Sequence, residues 1–162
     1  MTLTDMLLAE FDNEMKVTRA VLERTPVADA AWKPHPKSTS LGDLAVHIAT
    51  IPSWLVPTVT EPELDLGGAG GPAALESVEQ LLARFDENVR NARAALAGAR
   101  DASLAEPWTL RSGSHTVFTA PRGAVIRSFV MSHLIHHRGQ FTVYLRLRNV
   151  PLPSVYGPTA DV

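Results

Sequence analysis

The chain has 162 residues, 45% of them hydrophobic and 20% charged, which suits a single domain able to bury a core without metal or disulfide staples. Lys and Arg number 15 against 17 Asp and Glu, a net charge of -2, which gives no positive field to favour nucleic acid or anionic lipid as a partner. Cysteine is absent, so a disulfide framework, a Cys-rich zinc site and a thiolate nucleophile are excluded, and any metal must be held by His, Asp or Glu.

The segment Met1–Phe11 carries Asp5 and Glu10 with no basic region ahead of an apolar run. It does not read as a secretory signal, and the expected compartment is the cytoplasm. From Thr2 to Arg24, apolar residues recur at helical spacing through Leu7, Phe11, Met15, Thr18 and Leu22, and the pattern stops before Pro26, predicting a first helix. A Pro-rich connector ends in Lys33–Ser40. Ser40 with Asp43 then predicts the start of a second helix, whose stripe is Leu41, Leu44, Ile48, Ile51 and Leu55, with a kink at Pro52. Residues 57–72, rich in Gly and Pro, predict a long linker without helix or strand.

Ser77 with Gln80 reads as a capping box for a third helix, which carries Val78, Leu81, Leu82, Phe85, Val89, Ala92 and Leu96 as far as Gly98. Between Asp101 and Pro121 the pattern fits either a small hairpin or an extended loop. A fourth helix is predicted from Arg122 to Arg148, ending before Pro151, and residues 153–162 read as a coil tail. No run approaches the length of a membrane-spanning helix. The expected class is therefore all-α, a four-helix bundle of one domain over residues 1–162 with long connections between helices 2 and 3 and between helices 3 and 4.

The fourth helix contains Ser132-His133-Leu134-Ile135-His136-His137-Arg138-Gly139-Gln140. The spacing of His133 and His137 puts them one turn apart on a single face. At about 100° per residue that face also carries Ile126, Val130, Phe141 and Tyr144, whereas His136 points to one side. His47 lies at the edge of the second helix's stripe, one turn after Asp43. A divalent ion held by His47, His133 and His137, with an open coordination position, is the functional reading. The plainer alternative is three core histidines satisfied by backbone or water. Glu10 and Glu14 flank the first stripe and are candidates to reach the ion or act as a base, or else solvated edge positions. Asp43 is either an acceptor for the free N–H of His47 or a helix-start charge. Gly68-Ala69-Gly70-Gly71-Pro72-Ala73 formally matches a dinucleotide-binding pattern, but no predicted strand precedes it and Pro72 interrupts it, so it is set aside.

Glu14-Met15-Lys16-Val17-Thr18-Arg19, Trp32-Lys33-Pro34, Ser40-Leu41-Gly42-Asp43-Leu44-Ala45-Val46-His47 and His133 through Gln140, followed by Tyr144-Leu145-Arg146 and Val150-Pro151-Leu152-Pro153, resemble the DinB/YfiT-like superfamily of bacterial metal-binding helix bundles. The resemblance implies an up-down-down-up bundle in which one His of the second helix and two of the fourth, here His47, His133 and His137, bind zinc or nickel. Asp43, Gln140, Tyr144 and Glu14 are the expected supporting or pocket residues. Characterised members of the superfamily include thiol S-transferases using bacillithiol and an isomerase using mycothiol. The expectation is a metal-dependent thiol S-transferase or hydrolase acting on a small molecule, in a homodimer. The alternative is a non-catalytic, metal-binding stress-response bundle that works through a protein partner.

Overall fold

In the computed structural model, which describes residues 1–67 and 74–162, the first helix, α1, spans Leu3–Leu22. Its start is fixed by a reciprocal capping box: Asp5 N–H donates to the Thr2 hydroxyl at 3.0 Å, and Thr2 N–H donates to the Asp5 carboxylate at 2.9 Å. Asp101, distant in sequence, accepts from Leu3 N–H at 2.8 Å and Thr4 N–H at 3.0 Å, so the exposed donors of the first turn find acceptors. Ser77 caps α4, Val78–Ala97, as the sequence predicts. Ion pairs tie Arg19 to Asp86 and Arg93 to Asp12, each at 2.8 Å. Advancing along α1 therefore means retreating along α4. These pairs are solvated and report register more than they stabilise.

The second predicted helix is divided in three: α2 over Leu41–Thr50, a 3-10 turn over Ile51–Trp54, and α3 over Leu55–Thr60. Pro52, which cannot donate to Ile48, produces the tighter turn rather than a simple bend. The expected linker over 57–72 needs correcting. Pro57 sits in the first turn of α3, where a missing N–H costs no intrahelical bond, and Glu63–Asp65 forms a strand, β1. The glycine-rich motif over 68–73 lies outside the described residues.

The all-α expectation also changes, because β1 pairs in parallel with β2, Pro107–Ser112, which pairs antiparallel with β3, His115–Pro121. The fold is mostly helical with a three-stranded sheet. Alternation in β2 buries Trp108 and Leu110, and these with Val125 form a small second core against which Leu64, Phe118 and Phe129 pack. Gly113, with φ of 60°, supplies the left-handed residue that the β2–β3 turn requires. The Asp65 carboxylate accepts from Gly67 N–H and Gly113 N–H, each at 2.8 Å, pinning the end of β1 to that turn. The short helix α5, Asp101–Leu104, precedes β2.

The last helical stretch runs from Arg122 to Leu147 as α6, Arg122–Val125, a π-helical segment, Ile126–Ser132, and α7, His133–Leu147. It ends where Asn149 adopts a φ of 58° and Val150 N–H donates back to Leu145 C=O at 3.0 Å, a left-handed terminator. α1 packs against α4 and α7, and α2 packs against the same two helices. Phe11, Leu22, Leu41, Ile48, Phe85, Leu96 and Phe141 are fully buried in the main core. Among the described residues no helix is long and apolar enough to cross a membrane.

Candidate metal centre

His47 sits on α2 between the buried residues Val46 and Ile48, so its ring lies at the edge of the core, half-buried. His133 opens α7, and His137 follows one turn later, both half-buried. The α2–α7 packing brings the three rings together, with centroids 5.2 Å apart for His47 and His133, 4.7 Å for His47 and His137, and 4.6 Å for His133 and His137. One ring nitrogen from each falls within 4.8 Å of the other two. His47 Nε2 and His133 Nε2 are 3.4 Å apart. Two imidazoles on one tetrahedral zinc, with Zn–N bonds of about 2.0–2.1 Å, have their nitrogens about 3.3 Å apart. The donor set and spacing thus fit a borderline divalent ion of the zinc type.

Burial pushes the His47 ring down to about 4, helped by charge repulsion from His137 and His133. Burial also lowers His133, with His137 adding repulsion and the Phe129 carbonyl opposing it. His137 is lowered mainly by burial, against the opposing effect of its hydrogen bond to Gln140. All three rings are therefore held toward the neutral form that donates a lone pair. His137 Nδ1 lies 2.8 Å from Gln140 Oε1. With the amide oxygen as acceptor, Nδ1 carries the proton and Nε2 is left free to ligate.

The remaining expected residues are placed differently. Asp43 does not reach His47: its carboxylate accepts from the Ser40 hydroxyl at 2.6 Å, and its N–H donates to that hydroxyl at 3.2 Å, which makes it part of the α2 cap. Glu14 is buried, with its carboxylate on Arg138 and Tyr156. Glu10 pairs with Arg127. The Tyr144 ring stands edge-on to Trp32 at 5.6 Å, and its hydroxyl donates to Thr39 C=O at 3.3 Å. His136 is exposed, its ring centroid 5.0 Å from that of His137.

Two aromatic residues join the site that the spacing of the histidines alone does not reveal. Trp54 lies 5.6 Å from the His47 ring and 5.4 Å from the His133 ring, and Phe129 stacks on it at 4.9 Å. They form an apolar wall on one flank of the imidazoles. The signal for Trp54 was its position two turns after His47, and for Phe129 its position one turn before His133.

A family model described as the DinB superfamily matches residues 10–141. Among solved structures, the chain is similar to a DinB-like protein from Bacillus subtilis, with a TM-score of 0.69 at 19% identity, covering 95% of this chain and 99% of that one. It is also similar to a DinB-like protein from Bacillus cereus ATCC 10987, with a TM-score of 0.72 at 23% identity, covering 93% of this chain and 95% of that one. A search of curated proteins returns no match.

Proposed function

The chain belongs to the DinB superfamily, and from that premise we propose that it is a divalent-metal-dependent enzyme whose His47, His133 and His137 hold zinc or nickel and leave a position open to a small-molecule substrate. The observation that carries this reading is the convergence of three half-buried imidazoles from two helices, the one such cluster among the described residues. A bound divalent ion supplies Lewis acidity, which lowers the pKa of a thiol or water held in its open position. The reaction class we favour is thiol S-transfer, with hydrolysis as the neighbouring chemistry of the same centre.

The protein's own groups have defined parts in this reading. Gln140 orients His137, and the low basicity of the rings keeps their lone pairs available. Trp54 and Phe129 exclude water from one flank, which strengthens electrostatic interactions within the site. We further read α1, α2, α4 and the α6–α7 stretch as an up-down-down-up bundle. The Arg19–Asp86 and Arg93–Asp12 pairs support α1 and α4 running in opposite directions.

The test is zinc and nickel binding followed by assay of the loaded protein with a low-molecular-weight thiol and a chromogenic electrophile, beside a chromogenic ester. Metal-dependent turnover lost in His47→Ala supports the enzyme. Tight metal binding with no turnover of any such pair favours a non-catalytic bundle that acts through a protein partner.

A further inference from the structure

α7 meets the rest of the molecule on three sides. At about 100° per residue, His133, His137 and Tyr144 share one direction and the buried residues Leu134 and Leu145 a second, toward the core, with the buried Phe141 between the two. Thr142 and Arg146 point in a third direction, away from the imidazoles, and the last residues of the chain lie along that side. Asp161 accepts from the Arg146 guanidinium at 2.5 Å and from Leu152 N–H at 2.9 Å. The Thr159 hydroxyl donates to Leu152 C=O at 3.2 Å, and Leu152 and Val155 pack on the main core.

Between these ties the strap reaches a buried charge pair. Arg138 and Glu14 are only 2% and 5% exposed. Arg138 Nη1 lies 2.7 Å from Glu14 Oε2 and also donates to the Thr18 hydroxyl at 3.1 Å and to Glu14 C=O at 3.3 Å. The Tyr156 hydroxyl closes the loop: it accepts from Arg138 Nη2 at 2.6 Å and donates to Glu14 Oε2 at 2.8 Å. The guanidinium carbon also lies 5.1 Å from the Tyr156 ring centre.

A guanidinium with fixed donor directions, bonded across to α1, specifies both the rotation and the axial register of its own helix. Apolar packing of Leu134, Phe141 and Leu145 alone tolerates small shifts. Arg138 directly follows His137, so whatever holds its register also holds two of the three imidazoles. We propose that Tyr156 is a positioning residue for the three-imidazole centre: by completing the Arg138–Glu14 network from the C-terminal strap, it sets where α7 presents His133 and His137 to His47. This rests on the metal reading above.

Cobalt(II), whose visible absorption reports coordination geometry, is the probe, with zinc in competition. In Tyr156→Phe the expected outcome is affinity weakened about tenfold, the low end of what outer-shell substitutions cost, together with a changed cobalt band and a retained helical circular dichroism signal. Asp161→Asn, which loosens the strap without touching the buried pair, should shift affinity in the same direction by less. Unchanged cobalt affinity and spectrum in Tyr156→Phe, with only the melting temperature lowered, overturns the proposal and leaves the tyrosine a structural clasp. If Tyr156→Phe does not fold, unchanged affinity in Asp161→Asn overturns it in the same way. Wild-type protein that binds neither cobalt nor zinc overturns the metal reading itself, and this proposal with it.

Discussion

His47 Nε2 and His133 Nε2 face each other at 3.4 Å across the α2–α7 interface. With both nitrogens unprotonated their lone pairs repel at that distance, so either one ring donates an N–H to the other or a cation lies between them. With His137 completing the cluster, a metal ion satisfies all three nitrogens at once. We expect about one zinc or nickel ion per chain by metal analysis, and loss of that ion in the His133→Ala/His137→Ala double variant. Full occupancy in the double variant contradicts ligation by these rings.

Proton competition should set in late. Free imidazole takes a proton near pH 6.5, but all three rings are shifted downward, His47 to about 4. Zinc affinity should hold from pH 8 to about 6.5 and weaken only as the pH falls below that value. A decline already steep above pH 7 would mean that the rings are not held neutral.

The same shift has a consequence for the metal-free protein. When a folded-state pKa lies below the unfolded one, the unfolded chain binds the proton first, so stability is full above pH 6.5 and is lost as the pH falls toward 4. Chelated wild type should therefore lose more melting temperature between pH 7 and 4.5 than chelated His47→Gln, which carries no proton-binding ring at that position. Equal losses would remove His47 from the balance.

Metal removal should leave the molecule folded. The buried apolar side chains of α1, α2, α4 and α7 form a continuous core without help from the imidazoles, and burial of this kind offsets chain entropy. Chelated protein should keep its helical circular dichroism and a cooperative melt. Collapse of the helical signal at room temperature would make the ion part of the folding energy instead.

The Glu14–Arg138 pair provides the stability test. Glu14→Gln leaves a buried guanidinium uncompensated and should cost about 3–5 kcal/mol in urea denaturation. The paired replacement Glu14→Leu/Arg138→Met should cost far less, because no unpaired charge remains. A single-variant loss below about 1 kcal/mol would show that water reaches the pair.

Helical periodicity and cap residues carried most of the fold. Ser40 and Ser77 sit at helix starts, the stripe of α1 is buried, and that of α4 is buried or partly buried against the core. Local signals also place His133 and His137 on one face. The partnership of His47 with them is a tertiary fact: the stripe of the second helix put His47 within reach of the same interior, and the family resemblance named the same three residues. What escaped local reading depends on contacts distant in sequence. β1 is a three-residue strand that exists by virtue of β2 beside it. Glu14 was legible as an edge carboxylate, but its partners stand 124 and 142 positions away. Asp43 satisfied two expectations in sequence, and the nearer hydroxyl of Ser40 won.

The π-helical segment Ile126–Ser132 lets one helix serve two clients that lie in different directions. Val125 belongs to the small core of the sheet, whereas Ile126 and Val130 belong to the main core that leads into His133. A π turn is in effect an α-helix carrying one extra residue, so here that residue acts as a phase correction between the sheet and the imidazoles. Holding the same seven residues in ordinary α-helix would turn one half against the other by about 100°. A helix regularised in that way would keep either the seat of the sheet or the alignment of the three nitrogens, and would lose the other.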